Sequence, residues 1–343
     1  MIDFRYHLVS IVAVFLALAI GIVVGATALK PSTLKVLYKT SQQERQQISS
    51  LLGTNGELRQ QISFDQAFAQ SNSALLLGHL LAGRRAVVVT APGADGQVTS
   101  GVTSALQAAG AQVTGQVALQ QAFFAAGQST QSNLDSLSQQ LDPPDVSLNQ
   151  GTQQGANPQI AGQQEAAQLI AAALVTQDGP GLPAAESKSI LDGFAAHGYL
   201  QVSPASGASG ATLPLATLAV VVIPGSPPAG GDSDPANLAL LSLAQQLDTT
   251  GKAAVLAGSP PGSGAGSAID ELVSGGDGLQ LSSVDNANTE TGQIIVAQAL
   301  SLLLAGHKAA SYGVRPGAVP SPVPTPSVTQ SATPAATRRA VRR

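Results

Sequence analysis

A charge-free run from Leu8 to Leu29 constrains this chain more than any other feature of its sequence. An α-helix rises about 1.5 Å per residue, so the run spans about 33 Å, close to the roughly 30 Å of a bilayer's hydrocarbon core. A helix also satisfies its backbone hydrogen bonds internally, as hydrocarbon requires. The run therefore predicts a transmembrane helix, with residues 1–30 forming a cytoplasmic stub and a membrane anchor.

A cleaved signal peptide is the competing interpretation of this run. Ala26-Thr27-Ala28 resembles an A-x-A cleavage site. However, the apolar region of a signal peptide is about 7–15 residues long, and the positive charge of Arg5 is offset by Asp3. We therefore favour an anchor that is retained in contact with membrane lipid.

The residues that flank the anchor and the composition of the chain favour opposite orientations of the anchor in the membrane. Three lysines follow the span, and the positive-inside rule alone would place that side in the cytoplasm; they are Lys30, Lys35 and Lys39. The absence of cysteine and the Ser/Thr/Pro-rich tail favour the opposite orientation. We expect a single-pass cell-membrane protein whose C-terminal domain is extracytoplasmic.

Small residues recur along the anchor at Ala17, Gly21 and Gly25. A G-x-x-x-G stripe lets two helix backbones approach closely in lipid, which would favour a dimer. Glycine is also simply frequent in membrane helices, and both interpretations stay open.

Residues 31–82 predict a helix with apolar residues at heptad spacing. The seam positions are Leu34, Leu37, Ile48, Leu51, Leu58 and Ile62. Ser41, Glu44 and Asn55 interrupt the seam. The pattern favours an imperfect coiled coil, forming a homodimer together with the membrane helix. One amphipathic helix packed on its own domain is the alternative.

Residues 83–313 alternate short apolar strands with helical segments. The expected strands are AVVVT from Ala86, AQVTGQVAL from Ala111, LAVVVI from Leu218 and AAVLAG from Ala253, with shorter candidates at 199–203 and from Leu279. Helices are expected near 96–110, 163–175, 184–197, 235–249 and 289–306, and the polar stretch 134–159 is expected to be a loop with short pieces of helix. Alternation of this kind predicts an α/β domain with a mostly parallel sheet covered on both faces, Rossmann-like or flavodoxin-like.

Residues 314–343 are rich in Pro, Ser and Thr and end in a cluster of arginines. Such a segment buries too little apolar area to offset the entropy of ordering, so we expect a disordered tail. The arginines could contact anionic headgroups or envelope polymers, although a solvated tail is the simpler expectation.

Composition excludes several classes of function. A net charge of -4 argues against a nucleic-acid partner, which normally selects a basic face. The chain has no cysteine, which excludes disulfides, thiolate catalysis and Cys-ligated zinc.

No catalytic set, metal motif or cofactor motif emerges from the sequence. The loop after the first strand, Ala91–Gly96, is neither a G-x-G-x-x-G nor a Walker A loop. The glycine-rich stretch Gly258–Gly266 could cradle an anion or merely connect two elements. Ser259 lacks the G-x-S-x-G context of a nucleophile elbow. The carboxylates near strand ends have no base or nucleophile beside them in sequence, and the histidines are isolated; these residues are Asp270, Glu271, Asp285, Glu290, His7, His79, His197 and His307. We expect a protein that is not an enzyme.

Two stretches carry a family resemblance. The opening DFRYHLVSIVAVFLALAIGIVVGATAL resembles the N-terminus of the actinobacterial copper transport protein MctB family. Ser282-Ser-Val-Asp-Asn286, Thr291-Gly-Gln293 and Ala310-Ser-Tyr-Gly313 are similar to that family's C-terminal part. The layout of anchor, coiled coil and α/β domain agrees over about residues 1–313.

The resemblance implies an envelope protein that keeps intracellular copper low, proposed in the family to act as an outer-membrane channel. It also implies an alternative, in which a periplasmic coiled coil recruits a peptidoglycan hydrolase in cell division. No catalytic residue is implied. Cu(I) prefers thiolate and thioether ligands, and this chain has no Cys and only Met1. We therefore expect a non-enzymatic scaffold without a tight Cu(I) site.

Overall fold

The structure is a computed structural model that describes residues 4–125, 127–143, 157–177, 179–205, 213–225, 233–260, 267–273 and 280–322. The side chains of residues 4, 5, 26–37, 233 and 234 lie outside this description. The chain forms two compact units, Met1–Asp65 and Gln66–Arg343.

The N-terminal unit is built from one helix, α1, which runs from Phe4 to Leu77 and continues into the second unit. Tyr6–Gly25 has a mean hydropathy of 2.9 and is long and apolar enough to cross a membrane, by length and composition only. The predicted change of element at residue 31 is absent, because the helix passes through Pro31 without a break. It ends at Leu77 rather than at residue 82, where Gly78 and His79 take positive φ angles of 21° and 64°.

The C-terminal unit contains a seven-stranded sheet. The strands are β1 (Arg85–Thr90), β2 (Gln112–Leu119), β3 (Leu200–Pro204), β4 (Leu218–Ile223), β5 (Ala253–Gly258), β6 (Ser282–Val284) and β7 (Ser311–Tyr312). Their order is β3-β2-β1-β4-β5-β6-β7. Every neighbouring pair is parallel except β2 and β3, which are antiparallel. The prediction of an α/β protein with a mostly parallel sheet is therefore confirmed.

Helices connect the strands. They are α2 (Gly96–Ala108), α3 (Gln128–Leu141), α4 (Ala161–Leu174), α5 (Ala184–Ala196), α6 (Ser233–Thr250), α7 (Ala268–Val273) and α8 (Glu290–Leu304), with a short 3-10 helix at Gln121–Phe124. The alternation of β1, α2 and β2, and of β4, α6 and β5, follows the order expected from the sequence.

Two apolar clusters cover the two faces of the sheet, because successive side chains of a strand point to opposite faces. In β4, Val221 faces a cluster formed with α3, α4, α5 and α6. Val220 and Val222 face the other cluster, formed with α2, α8 and the last turns of α1. Ala69 and Leu77 of α1 are buried in that second cluster. The C-terminal unit thus has three layers, helices on both sides of a central sheet.

Residues 134–159, predicted to form a loop with short pieces of helix, include the second half of α3. Helix α3 extends to Leu141 and buries Leu134 and Leu137. A continuous helix from Gln128 was not predicted, because apolar residues are sparse in α3 and serine and glutamine dominate its local pattern. Residues 144–156 lie outside the described residues.

The ordered chain also continues beyond residue 313, where the tail was expected to begin. Val319 pairs with Tyr312 through a backbone bridge, and its N–H donates to the carbonyl of Ser311 at 2.8 Å. Residues 323–343, with the terminal arginines, are outside the described part. The short elements α7 and β7 were not predicted, because neither is long enough to show a periodic pattern.

Candidate functional site

Asp285 lies at the edge of the sheet where the parallel strands end, directly after β6. It is 1% exposed. Its two carboxylate oxygens accept hydrogen bonds from the backbone N–H groups of Val314 at 2.8 Å and Arg315 at 3.0 Å. The segment after β7 is therefore held against the end of β6 by one buried carboxylate.

Arg315 joins this carboxylate to a second one. Its side chain is 10% exposed and pairs with Asp270 of α7, and its Nε lies 3.8 Å from Oδ2 of Asp285. The guanidinium also donates to Oγ of Ser267 at 3.1 Å. Ser267 in turn donates its N–H to Oδ2 of Asp270 at 2.9 Å. We name these residues, Ser267, Asp270, Asp285 and Arg315, the Arg315 cluster.

Gly313 is required by the Arg315 cluster. Its φ angle is 134°, a conformation that other residues rarely adopt. A Cβ at this position would lie 2.0 Å from Oδ1 of Asp285. Any side chain at position 313 would therefore displace the carboxylate from its donors.

The chemistry of the Arg315 cluster is that of a structural ion pair. Each carboxylate oxygen of Asp285 already accepts a backbone N–H, and an arginine guanidinium stays charged and has no acceptor. These contacts hold both groups in fixed positions. The cluster fixes the C-terminal segment to the sheet.

Three serines, Ser282, Ser283 and Ser311, form further contacts between β6 and the segment that contains β7. Oγ of Ser282 accepts the N–H of Ala310 at 3.2 Å. Ser283 donates to Oγ of Ser311 at 3.0 Å, and the N–H of Asp285 donates to the carbonyl of Tyr312 at 3.1 Å. The serine hydroxyls thus add side-chain hydrogen bonds to the few backbone bonds that a strand as short as β7 can supply.

The threonine–glycine–glutamine segment begins α8. Thr289 is the N-cap, and its hydroxyl accepts the N–H of Gly292 at 3.1 Å. A Cβ on Gly292 would lie 2.0 Å from the carbonyl oxygen of Asn286. Nε2 of Gln293 donates to the carbonyl of Ala287 at 3.2 Å. The motif thus shapes the turn between β6 and α8.

The other carboxylates singled out in the sequence, and Asp95 of the first loop, lie at the N-termini of helices. Asp95 caps α2 by accepting the N–H of Gln97 at 2.8 Å. Glu271 and Glu290 occupy the first turns of α7 and α8, where a negative charge stabilises a helix. Ser259 follows β5 directly, and the glycine-rich residues 261–266 lie outside the described part.

The histidines are not gathered into a metal site within the described residues. No group of three or more His, Cys, Asp or Glu side chains there could hold a metal ion. Nδ1 of His197 lies 2.9 Å from the carbonyl oxygen of Gly193 at the end of α5.

The predicted membrane and seam residues all lie on α1. Ala17, Gly21 and Gly25 are in the apolar span, and a Cβ at either glycine would meet no atom within 4 Å. The seam residues with described side chains are exposed; they are Ile48 at 56%, Leu51 at 69%, Leu58 at 52% and Ile62 at 53%. The side chains of Leu34 and Leu37 lie outside the described part.

A polar groove of about 550 Å³ lies between the end of α1, α2 and the start of α8. Amides and hydroxyls dominate its lining, which includes Gln70, Ser73, Gln97, Ser104 and Asn288, with Glu290 as its charged group. Such a lining suits a neutral ligand that both donates and accepts hydrogen bonds better than an anion.

Burial raises the pKa of two titratable groups near the sheet. It raises the pKa of Asp248, an effect opposed by the hydrogen bond that its carboxylate accepts from the N–H of Ala254. It also raises the pKa of Tyr312. Asp248 anchors the start of β5, so the shift reflects packing of α6 on the sheet.

The sequence singles out Asp270 and Asp285 but gives no sign of their partner. Arg315 falls in the segment expected to be a disordered tail, and no motif contains Ser267. The available signal was the order Ser311-Tyr312-Gly313, a short strand and a turn, with Arg315 two residues after the glycine. Two residues of strand give too weak a pattern to extend the domain past position 313.

The fold and the Arg315 cluster define an α/β domain carried on a long N-terminal helix, with a structural ion cluster at the edge of its sheet. The family described as "Copper transport outer membrane protein, MctB" matches residues 1–323. The chain belongs to this family, as its opening and its C-terminal segments had indicated.

Curated relatives agree with this assignment. The chain is 26% identical over 328 residues to the "Copper transporter MctB" of Mycobacterium tuberculosis (strain ATCC 25618 / H37Rv), covering 93% of this chain and 98% of the relative. It is 28% identical over 328 residues to the protein of the same name from Mycobacterium leprae (strain TN), with the same coverage. Family membership and the apolar span Tyr6–Gly25 are compatible with a membrane-anchored envelope protein.

Proposed function

We propose that this chain is a membrane-anchored cell-envelope protein with a role in copper homeostasis, acting as a non-enzymatic scaffold. Family membership over residues 1–323 is the observation that carries the copper role. The relatives' name, copper transporter, supplies the process in which the chain takes part.

The copper role is indirect in this proposal. Cu(I) sites are built from soft sulfur ligands, and the chain has no Cys and a single Met. Deleting the gene should lower growth in high copper, and a copy lacking the membrane span should fail to restore it. Isothermal titration of the purified protein with Cu(I) should give no tight binding; tight binding would replace the indirect role with a direct one.

The scaffold role rests on α1. Isolated apolar side chains on a surface are ordinary, but those of the seam repeat at heptad spacing along one helix, and the four with described side chains are more than half exposed. Burying them against a second copy of α1 would give a parallel coiled-coil homodimer. The small residues Ala17, Gly21 and Gly25 would continue the same contact within the membrane.

Disulfide crosslinking tests the homodimer, because the chain has no cysteine of its own. A Leu51→Cys substitution sits on the seam and should crosslink two chains under mild oxidation. Gln60→Cys lies off the seam on the same helix and is the matched control. Equal crosslinking of both variants would contradict a specific seam.

The C-terminal unit is, in this proposal, a Rossmann-like domain that serves as a docking module. The strand order β3-β2-β1-β4-β5-β6 supports this, since it is the order of doubly wound nucleotide-binding sheets, although β3 runs antiparallel here. The non-enzymatic role is supported by Asp285, whose buried carboxylate is tied to two backbone N–H groups and lies beside Arg315. Nucleotide recovered with the purified protein would contradict it.

A recruiter of a peptidoglycan hydrolase in cell division is the alternative function. Exposed Phe64 and Phe68 on α1 favour a partner surface there, because large aromatic side chains often anchor protein interfaces. Co-purification should compare the parent with a variant carrying glutamine at Ile48, Leu51, Leu58 and Ile62. These substitutions leave Ala69 and Leu77 of α1 in place, which belong to the core of the C-terminal unit.

A further inference from the structure

Helices α3 and α4 approach each other closely at Gly162. A Cβ on this glycine would lie 2.3 Å from the backbone oxygen of Gln131. The side chain of Gln131 also donates to the carbonyl of Gln159, just before α4. The contact therefore brings the two helix backbones together at a fixed point.

One turn further along both helices, the contact places two carboxyl groups against each other. Asp135 follows Gln131 by four residues and Glu165 follows Gly162 by three, and the two carboxyl groups lie within hydrogen-bonding reach of each other. Oδ1 of Asp135 also accepts Nε2 of Gln139 at 3.0 Å. Oε2 of Glu165 is buried and has no hydrogen-bond partner among the described residues. Two ionised carboxylates have only acceptors, so a hydrogen bond between them requires a proton.

The neighbouring elements do not supply a free positive charge among their described side chains. Helix α3 carries no other ionisable group, and Asp142 follows its last residue; α6 contributes Asp248, which accepts the N–H of Ala254. Helix α5 contributes Glu186, Asp192 and Lys188, and the lysine is paired with Asp192. The 3-10 helix contributes no titratable residue.

We infer that Asp135 and Glu165 share one proton, so that the contact between α3 and α4 is tighter in acid than in mild base. The shared proton converts a repulsion between two carboxylates into a hydrogen bond across the helix contact. Losing it leaves two like charges at a place where Gly162 holds the helices close together.

The pKa of Glu165 agrees with this geometry. Burial, then the hydrogen bond and the charge of Asp135, raise the pKa of Glu165 from 4.5 to about 7. Because the folded state holds the proton more tightly, the stabilisation is complete below pH 4.5 and is lost as the pH rises through 7. The domain should therefore be more stable at pH 5 than at pH 8.

Thermal unfolding of the full chain in detergent tests this inference. The parent should lose a few degrees of Tm between pH 5 and pH 8 at constant ionic strength, since about 1 kcal/mol shifts the Tm of a domain this size by about 2–4 °C. Glu165→Gln should remove most of this slope, because its amide donates to Asp135 at every pH; the remainder belongs to Asp248, whose pKa burial also raises. Glu57→Gln makes the same change at an exposed site on α1 and should leave the slope intact.

A second measurement covers the case in which Glu165→Gln fails to fold. In the parent labelled with ¹³C at glutamate carboxyls, one resonance should titrate near pH 7. Asp135→Asn should move that titration toward acid. An unchanged slope in Glu165→Gln, or no glutamate titrating above pH 6, would overturn the inference. Stabilisation of the parent but not of Glu165→Gln by Ca²⁺ or Mg²⁺ at pH 8 would also overturn it, in favour of a cation site.

Discussion

At the scale of single residues, the polar side chains in the segments that resemble the family stabilise the fold. Asp285 holds the backbone of residues 314 and 315, Thr289 caps α8, and Gly292 makes room for the carbonyl of Asn286. Buried polar groups are expected to be hydrogen-bonded, and these are. A sequence motif shared with a family can therefore mark a turn or an ion pair as readily as a reaction centre.

Asp285→Asn should lower the free energy of unfolding by about 3 kcal/mol, because breaking a buried ion pair leaves an uncompensated charge. The amide would also replace one acceptor of the backbone N–H groups with a donor. Chemical unfolding followed by circular dichroism measures the change. Asp192→Asn is the control, since it removes only an exposed pair with Lys188 and should cost less than about 1 kcal/mol. Equal effects at the two sites would refute the structural role of Asp285.

Gly292→Ala should destabilise the C-terminal unit by at least about 2 kcal/mol, because its Cβ would overlap a backbone oxygen that cannot move freely. Gly96→Ala is the matched control, because a Cβ there meets no atom within 4 Å. The pair can be compared by thermal unfolding. A tolerated Gly292→Ala would mean that the turn before α8 relaxes easily.

At the scale of elements, hydrophobic patterning predicted the long, well-packed pieces and missed the short ones. The runs in β1, β4 and β5 are buried on both faces, so their sequences are continuously apolar and easy to recognise. Helix α3 buries few residues and β7 has two, so local pattern carried too little information. The Arg315 cluster depends on a contact between α7 and the segment after β7, which no local window contains.

Thr289→Ala should cost about 1 kcal/mol by leaving an N-terminal amide of α8 without its cap. Thr289→Ser keeps a hydroxyl at the same position and should restore most of the loss. Helix-specific hydrogen exchange in α8 would separate this local effect from general unfolding. Equal protection in both variants would argue that Thr289 acts only through packing.

At the scale of the whole molecule, one helix carries both the apolar span and the exposed seam and then joins the core of the α/β domain. The continuity of α1 past Pro31 was not predicted, because the proline and the charge at Lys30 suggested a boundary. The sequence did predict the class of the domain, since alternating strands and helices leave few architectures. The proposed scaffold depends on retention of Tyr6–Gly25.

Retention predicts that carbonate washing leaves the protein in the membrane fraction and that the mature chain still contains residues 6–25. A chain that starts near Leu29 and washes off would instead indicate a cleaved signal peptide. Removing residues 4–25 should release a soluble C-terminal unit, because the described cores lie beyond residue 66.

Labelling of a single introduced cysteine tests the tethered arrangement most directly, because the chain has none of its own. Lys308→Cys, in the exposed turn after α8, should react with a membrane-impermeant maleimide in intact cells. Asp3→Cys, before the span, should react only after lysis. The reverse pattern, or a Lys308→Cys protein that fractionates with the cytosol, would contradict an extracytoplasmic domain on a retained anchor.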